Sequence, residues 1–212
     1  MHRQCFWWAD IILQMNPYWK LSVKGLEHID QNQAYVIIAN HQSLADTIVL
    51  YETKMQFKWV AKKSLFNIPF IGWCMQLCKY IMLKRDDLNS IKESIQEASQ
   101  WLRDGISVLY FPEGTRSEDG RLGLFKNGPF KLAIREQKPI LPITISGTKN
   151  AIPKGSWVFT RHVFGMLSVL PPMSTEGLTE GDSARLREHV HEILEKELKA
   201  SEASSQIDSQ VA

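Results

Sequence analysis

An α/β fold, a single domain whose mixed, mostly buried β-sheet is covered by helices on both faces, is what this sequence predicts. Short apolar, β-branched-rich runs such as 34–39 and 106–111 have the pattern of strands buried on both sides. They alternate with segments of helical periodicity, the signature of an α/β arrangement. A chain of 212 residues, 44% hydrophobic and 23% charged, suits one well-filled core.

Along the chain, residues 1–20 come first as an aromatic-rich, amphipathic segment in which Phe6, Trp7, Trp8, Met15, Tyr18 and Trp19 stand out. It is either a helix packed on the body or a membrane contact, because indole and phenol rings favour the headgroup boundary. No run approaches the roughly 18 apolar residues of a spanning helix, and no signal-peptide pattern opens the chain.

The main body is expected over 21–200. A strand at 34–39 stops at Asn40-His41-Gln42-Ser43, and Ser43 or a neighbour is expected to cap a helix to about Glu52. A strand over 57–61, a short helix from Pro69 and a strand over 80–83 follow. The clearest helix is 87–103, where Ile91, Ile95, Ala98 and Leu102 recur at helical spacing before Gly105. Next come a strand at 106–111, a helix at 127–135 and strands at 140–146 and 163–170. A final helix over 182–199 carries the stripe Leu186, Val190, Ile193, Leu194 and Leu198, with Asp182 at its N-cap. Residues 201–212 are polar and without periodicity, the pattern of a disordered tail. Cys5, Cys74 and Cys78 form no zinc or disulfide pattern, which fits a reducing compartment, and Cys74 and Cys78 are expected to be small buried residues on one helix face.

Three groups of residues carry chemistry. At the end of the 34–39 strand, where open α/β sheets present their sites, His41 and Asp46 emerge together. Asp46 can fix one imidazole nitrogen and leave the other to take a proton. Alternatively, His41 caps the next helix and Asp46 sits in its first turn against the dipole. Phe111-Pro-Glu-Gly-Thr-Arg-Ser117 follows another strand and offers Gly114, the hydroxyls of Thr115 and Ser117, and the planar fork of Arg116 to an anion. It is neither a P-loop nor a dinucleotide loop, and the bland reading pairs Glu113 with Arg116. Finally, residues 54–85 hold seven Lys and Arg, no Asp or Glu, and Phe57, Trp59, Phe66, Phe70, Trp73 and Tyr80. That mixture suits an anionic lipid surface or a phosphorylated ligand. Single-stranded nucleic acid competes, but would leave the apolar run 68–73 needlessly exposed, and a solvated basic face over core aromatics is the plainest alternative. The GxSxG nucleophile elbow is missing, so the natural proton for His41 to remove is a substrate hydroxyl.

Asn40-His41-x4-Asp46, then Lys62-x2-Leu65-x6-Gly72 with Arg85 beyond, then Phe111-Pro-Glu-Gly-Thr-Arg-Ser117, then Leu141-Pro142-Ile143 resemble, in order, the four motifs of the glycerolipid acyltransferase family typified by 1-acyl-glycerol-3-phosphate acyltransferase. The resemblance implies a glycerol-3-phosphate acyltransferase-like fold, with 21–200 as the acyltransferase domain. It implies His41 as general base and Asp46 as its orienting partner. Arg116, Gly114, Thr115, Arg85 and Lys62 would hold the acceptor phosphate, while Glu113 would contact the acceptor glycerol or position Arg116. It further implies direct attack on acyl-CoA or acyl-ACP as co-substrate, with no cofactor and no metal. The acceptor would be a lysophospholipid, foremost 1-acyl-sn-glycerol 3-phosphate. Family members often carry spanning segments before the first motif, whereas 40 residues precede His41 here. A peripheral enzyme on the cytoplasmic face of a membrane, or a chain shortened at its start, accounts for that. Partners are then the membrane lipid surface, the lysolipid and the acyl carrier, with no nucleic acid. The rivals are a non-catalytic lipid-surface protein and a thioesterase.

Overall fold

The computed structural model describes residues 2–117, 120–149, 151–152, 160 and 162–211, with side chains between 4 and 201. Seven strands form one sheet: β1 Trp19–Lys24, β2 Val36–Ala39, β3 Phe57–Lys62, β4 Ile81–Leu83, β5 Ser107–Tyr110, β6 Ile140–Ser146 and β7 Val163–Val169, in the order β1-β7-β6-β2-β5-β3-β4. All neighbours are parallel except β6 and β7. The helices are α1 His2–Met15, α2 Asp46–Val49, α3 Ile71–Leu77, α4 Leu88–Arg103, α5 Gly128–Arg135 and α6 Ser183–Val211.

Alternation within the strands splits the core in two. Ile37 and Ala39 of β2 face a cluster with Tyr51, Phe57, Leu109, Leu141 and Ala9 of α1. Val36 and Ile38 face the opposite cluster, closed by Ala98 and Leu102 of α4, Phe130 and Ala133 of α5, and Leu186, Val190 and Leu194 of α6. Helices therefore cover both faces, as the buried runs predict. The α4 N-terminus is capped by Asp87, whose carboxylate accepts from the N–H groups of Asn89 and Ser90.

The fold departs from the sequence expectations at five places. The strand β1 starts inside the 1–20 segment; its side chains alternate from buried Trp19 to exposed Lys20, a period-2 signal masked by the aromatic run before it. Cys74 is exposed and Cys78 half-buried, because Gly72 is the one fully buried residue of α3. The helix after β2 begins at Asp46 and continues as a 3-10 turn over Leu50–Thr53. Ser43 makes no side-chain cap bond to α2 itself: its hydroxyl accepts from Ala45 N–H at 3.3 Å in the preceding turn and bridges to the backbone of Ile152. The α6 N-terminus is preceded by a Thr179–Asp182 capping box rather than capped by Asp182 alone. The helix α6 also continues to Val211, where a disordered tail is expected. No Gly or Pro interrupts 201–211, and helix propensity does not require an apolar stripe.

Segment 1–20 opens with a helix packed on the body and keeps several aromatic residues exposed. Ala9 of α1 is buried and Phe6, Ile12 and Leu13 pack on the core, while Trp7, Trp8, Met15 and Tyr18 face outward. Among the described residues, no helix is long and apolar enough to cross a membrane.

Candidate active site

Five mutually parallel strands, β2 to β6, end on one edge of the sheet, and the loops leaving them carry the residues the motifs single out. Asn40 fixes the first loop: its side-chain amide donates to Ile145 O at 2.8 Å and accepts from Ile145 N–H at 2.7 Å, tying the end of β2 to β6. His41 follows. Asp46, wholly buried, accepts from His41 Nδ1 at 2.8 Å, from Gln42 N–H at 2.7 Å and from Ser43 N–H at 2.9 Å through Oδ2, and from the Thr148 hydroxyl at 2.6 Å through Oδ1. Both roles open to this carboxylate are therefore filled at once: it closes the turn and it orients the ring.

A carboxylate accepting at Nδ1 assigns the proton to that nitrogen and leaves the lone pair on Nε2. No hydrogen-bond partner occupies Nε2 among the described residues, and the side chain is 15% exposed. The imidazole also stacks on Phe111, with centroids 3.9 Å apart and planes 10° from parallel, and Trp59 backs Phe111 at 5.5 Å. Ring edge and ring face are both fixed, so the free nitrogen points one way without the ordering cost of a mobile side chain.

The loop after β5 meets this group through Glu113. One carboxylate oxygen accepts from His41 N–H at 2.8 Å and the other from Gly123 N–H at 2.9 Å. Return contacts tie the same loop down: Ser117 N–H donates to His41 O at 2.8 Å, and Lys126 N–H to Pro112 O at 2.9 Å. Burial pushes the Glu113 carboxyl above its ordinary value, and the two backbone donors pull against that shift. Glu113 is thus a strut between two loops, not the ion-pair partner of Arg116.

Gly114 sits at φ +76°, a left-handed conformation at which glycine carries no side-chain penalty. A Cβ there would lie 3.2 Å from Lys126 Cε and 3.7 Å from Arg85 Cζ, so two cations close over this turn. Two residues on, Arg116 is half-buried and its Nη1 is buried without a hydrogen-bond partner. A buried guanidinium nitrogen left unpaired is costly, and a phosphate oxygen would satisfy it. Thr115 is exposed beside it, and Lys62, exposed, closes β3 on the same edge. The structure thus gathers His41, Asp46, Glu113, Gly114, Arg116 and Arg85, while Lys62 makes no hydrogen bond or ion pair with them among the described residues.

Three contributors escape the sequence reading. Thr148 is remote in sequence from Asp46, and its one sequence signal is a place just past the end of β6. Lys126 shows only as one lysine among many, and Phe111 has the look of the last apolar residue of a strand. Among the described residues, no three His, Cys, Asp or Glu side chains converge as metal ligands.

Comparison with known proteins agrees with this geometry. The Acyltransferase family pattern matches residues 20–146, and the chain belongs to that family. A chloroplastic 1-acyl-sn-glycerol-3-phosphate acyltransferase of Arabidopsis thaliana is 38% identical over 156 residues, which are 73% of this chain and 43% of that one. The alpha enzyme of the same name from Mus musculus is 34% identical over 173 residues, 81% of this chain and 61% of its own length. The crystal structure of the 1-acyl-sn-glycerophosphate acyltransferase PlsC from Thermotoga maritima superposes with a TM-score of 0.82 at 28% identity, covering 95% of this chain and 79% of that one. The chain thus spans about half the length of the plant relative.

Proposed function

We propose that this chain transfers a fatty acyl group from an acyl thioester, acyl-CoA or acyl-ACP, to the free hydroxyl of 1-acyl-sn-glycerol 3-phosphate, giving phosphatidic acid. The observation that carries the reading is the pairing of an oriented, unoccupied His41 Nε2 with a cationic pocket containing an unpartnered Arg116 nitrogen. Relatives named for that acceptor support the choice of substrate.

In the reaction, His41 Nε2 takes the proton of the acceptor hydroxyl as its oxygen attacks the thioester carbonyl. Asp46 stabilises the imidazolium that forms. Collapse of the tetrahedral intermediate expels the thiolate, and the imidazolium returns its proton to the sulfur. Arg116, with Arg85, Lys126 and the Gly114–Thr115 turn, holds the acceptor phosphate, while Lys62 extends positive charge along the same edge. Fixing the acceptor in this way supplies orientation that, in intramolecular models, can lower a barrier by up to about 7 kcal/mol or more. Glu113 acts on the acceptor indirectly, by holding His41 and the Gly123 segment. This scheme calls on no cofactor beyond the thioester co-substrate.

We place the enzyme peripherally on the cytoplasmic face of a membrane. Outward-facing tryptophans on α1 support the membrane placement. The test is product analysis: labelled acyl-CoA and acyl-ACP are offered with glycerol 3-phosphate, 1-acyl-glycerol 3-phosphate and 1-acyl-glycerophosphocholine. Phosphatidic acid as the dominant product supports the proposal; transfer confined to another acceptor contradicts it.

A further inference from the structure

Within the acid-free segment 54–85, Phe57, Trp59, Phe66 and Ile81 enter the core, whereas large apolar residues at and within α3 stay exposed. Phe70, Trp73 and Leu77 are 73%, 58% and 60% exposed. Trp73 and Leu77, four residues apart, share one side of α3, and the ring of Phe70, the residue before the helix, meets Trp73 edge to face at 5.1 Å. Among the described residues no core cluster includes them, and α3 meets the body closely at Gly72, whose Cβ would lie 2.0 Å from Phe66 O.

The backbone that presents Phe70 is strained. Phe70 has φ 63° and ψ −52°, and Ile71 N–H donates to Pro69 O at 2.8 Å, which makes residues 69–71 a γ-turn of the rare, high-energy hand. An aromatic side chain in that conformation, aimed at water, gains nothing for folding. Backbone strain of this kind is held by the surrounding structure and clusters at functional positions.

Charge identifies the partner. Lys63 follows β3, Lys79 follows α3 and Lys84 follows β4; all three are exposed, and of them Lys84 meets an acid, Asp87 at 3.4 Å. Phe70 opens α3 on the same sheet edge as Lys62 and the His41 site, since α3 runs back from that edge towards the start of β4. Exposed aromatic rings and exposed lysines in one segment without an acid match a bilayer interface with anionic headgroups. An acidic carrier protein would be served by the lysines but would have no use for a protruding phenyl and indole pair.

We infer that the Phe70–Trp73–Leu77 face of α3 inserts into an anionic membrane surface, with Lys63, Lys79 and Lys84 against lipid phosphates, and so holds the active-site edge at the bilayer. Its purpose rests on the acyltransferase reading above; its measurement does not.

The test is sedimentation of the full chain with phosphatidylcholine vesicles, with and without about 30% phosphatidylglycerol, at about 0.1 M salt. Wild type is expected to bind the anionic vesicles and to bind pure phosphatidylcholine weakly. The Phe70→Ser/Trp73→Ser double variant is expected to lose about tenfold or more in partitioning. It should keep wild-type transfer to a short-chain, water-soluble lysophosphatidate while transfer to a vesicle-embedded acceptor falls. Phe70→Gly separates docking from folding: it relieves the left-handed backbone, so its melting temperature should rise while vesicle binding falls. Vesicle binding equal to wild type in both variants would overturn the inference and leave docking to another surface such as Trp7 and Trp8. Intact vesicle binding with a selective loss of acyl-ACP use would assign the face to the carrier instead. Absence of acyl transfer on every substrate would defeat the catalytic reading and leave the vesicle result to decide the docking face alone.

Discussion

The amide N–H of His41 donates to the carboxylate of Glu113 at 2.8 Å, so the two motifs that define this site are joined through backbone, not through paired charged side chains. Because the second Glu113 oxygen takes Gly123 N–H, one half-buried carboxylate sets the distance between His41 and the Gly123 segment that leads to Lys126.

Removing that strut should harm catalysis more than binding. In Glu113→Ala the N–H groups of His41 and Gly123 lose their acceptors, at about 1–3 kcal/mol for each group that stays buried. A shift of His41 by about 1 Å is enough for a loss of about 10²-fold in turnover. Glu113→Gln keeps one acceptor oxygen and should fall between. Turnover and thermal melting of the two variants check this; a wild-type rate in Glu113→Ala would remove the strut from the account.

The same carboxylate gives a pH signature. Its folded value is raised, so between the ordinary glutamate value and the raised one the unfolded chain has released a proton that the native chain retains. The contribution of Glu113 to stability is therefore full below the ordinary value and is lost as pH rises through the raised one. Urea titrations of wild type and Glu113→Gln between about pH 4 and 7 should show their stability difference moving in favour of the variant as pH rises. A difference independent of pH would contradict the shift.

On the proposed mechanism Thr148 positions His41 through Asp46, whose other oxygen holds the imidazole. Thr148→Val leaves Asp46 Oδ1 without its 2.6 Å donor in a fully buried site, which should cost about 1.5–3 kcal/mol of stability and lower turnover several-fold. Thr148→Ser, which retains the hydroxyl, should recover most of both. Failure of the serine variant to recover would show that the methyl group, not the hydrogen bond, matters.

How far the sequence reveals this depends on how local each signal is. The sheet strands β2, β5 and β6 are legible because burial on both faces writes a continuous apolar run, and α4 because its stripe keeps helical spacing. The strand β1 is hidden because its alternation begins inside an aromatic run, and the α6 extension because residues 201–211 carry no apolar stripe in the sequence. At the site, His41 and Asp46 are legible since both lie in one short turn. The Thr148 contact, the Glu113 bridge and the approach of Lys126 to Gly114 arise from strand order, which brings loops remote in sequence onto one edge.

The cationic pocket should discriminate between the two substrates. Replacing Arg116 by Ala should lower kcat/KM for the phosphorylated acceptor about 10- to 100-fold, the worth of one or two charge-assisted hydrogen bonds, with the thioester KM nearly unchanged. Lys126→Ala and Arg85→Ala should act in the same direction with smaller losses, since both side chains are exposed. Equal losses for acceptor and thioester would contradict a phosphate role.

The most direct test of the central claim is thiol release from a long-chain acyl thioester, followed with and without 1-acyl-glycerol 3-phosphate, for wild type and His41→Ala. The account predicts release that depends on the acceptor in wild type and vanishes in the variant while acceptor binding persists. Release without an acceptor would make the site a thioesterase, and undiminished acceptor-dependent release in His41→Ala would contradict the assignment of His41 as the base.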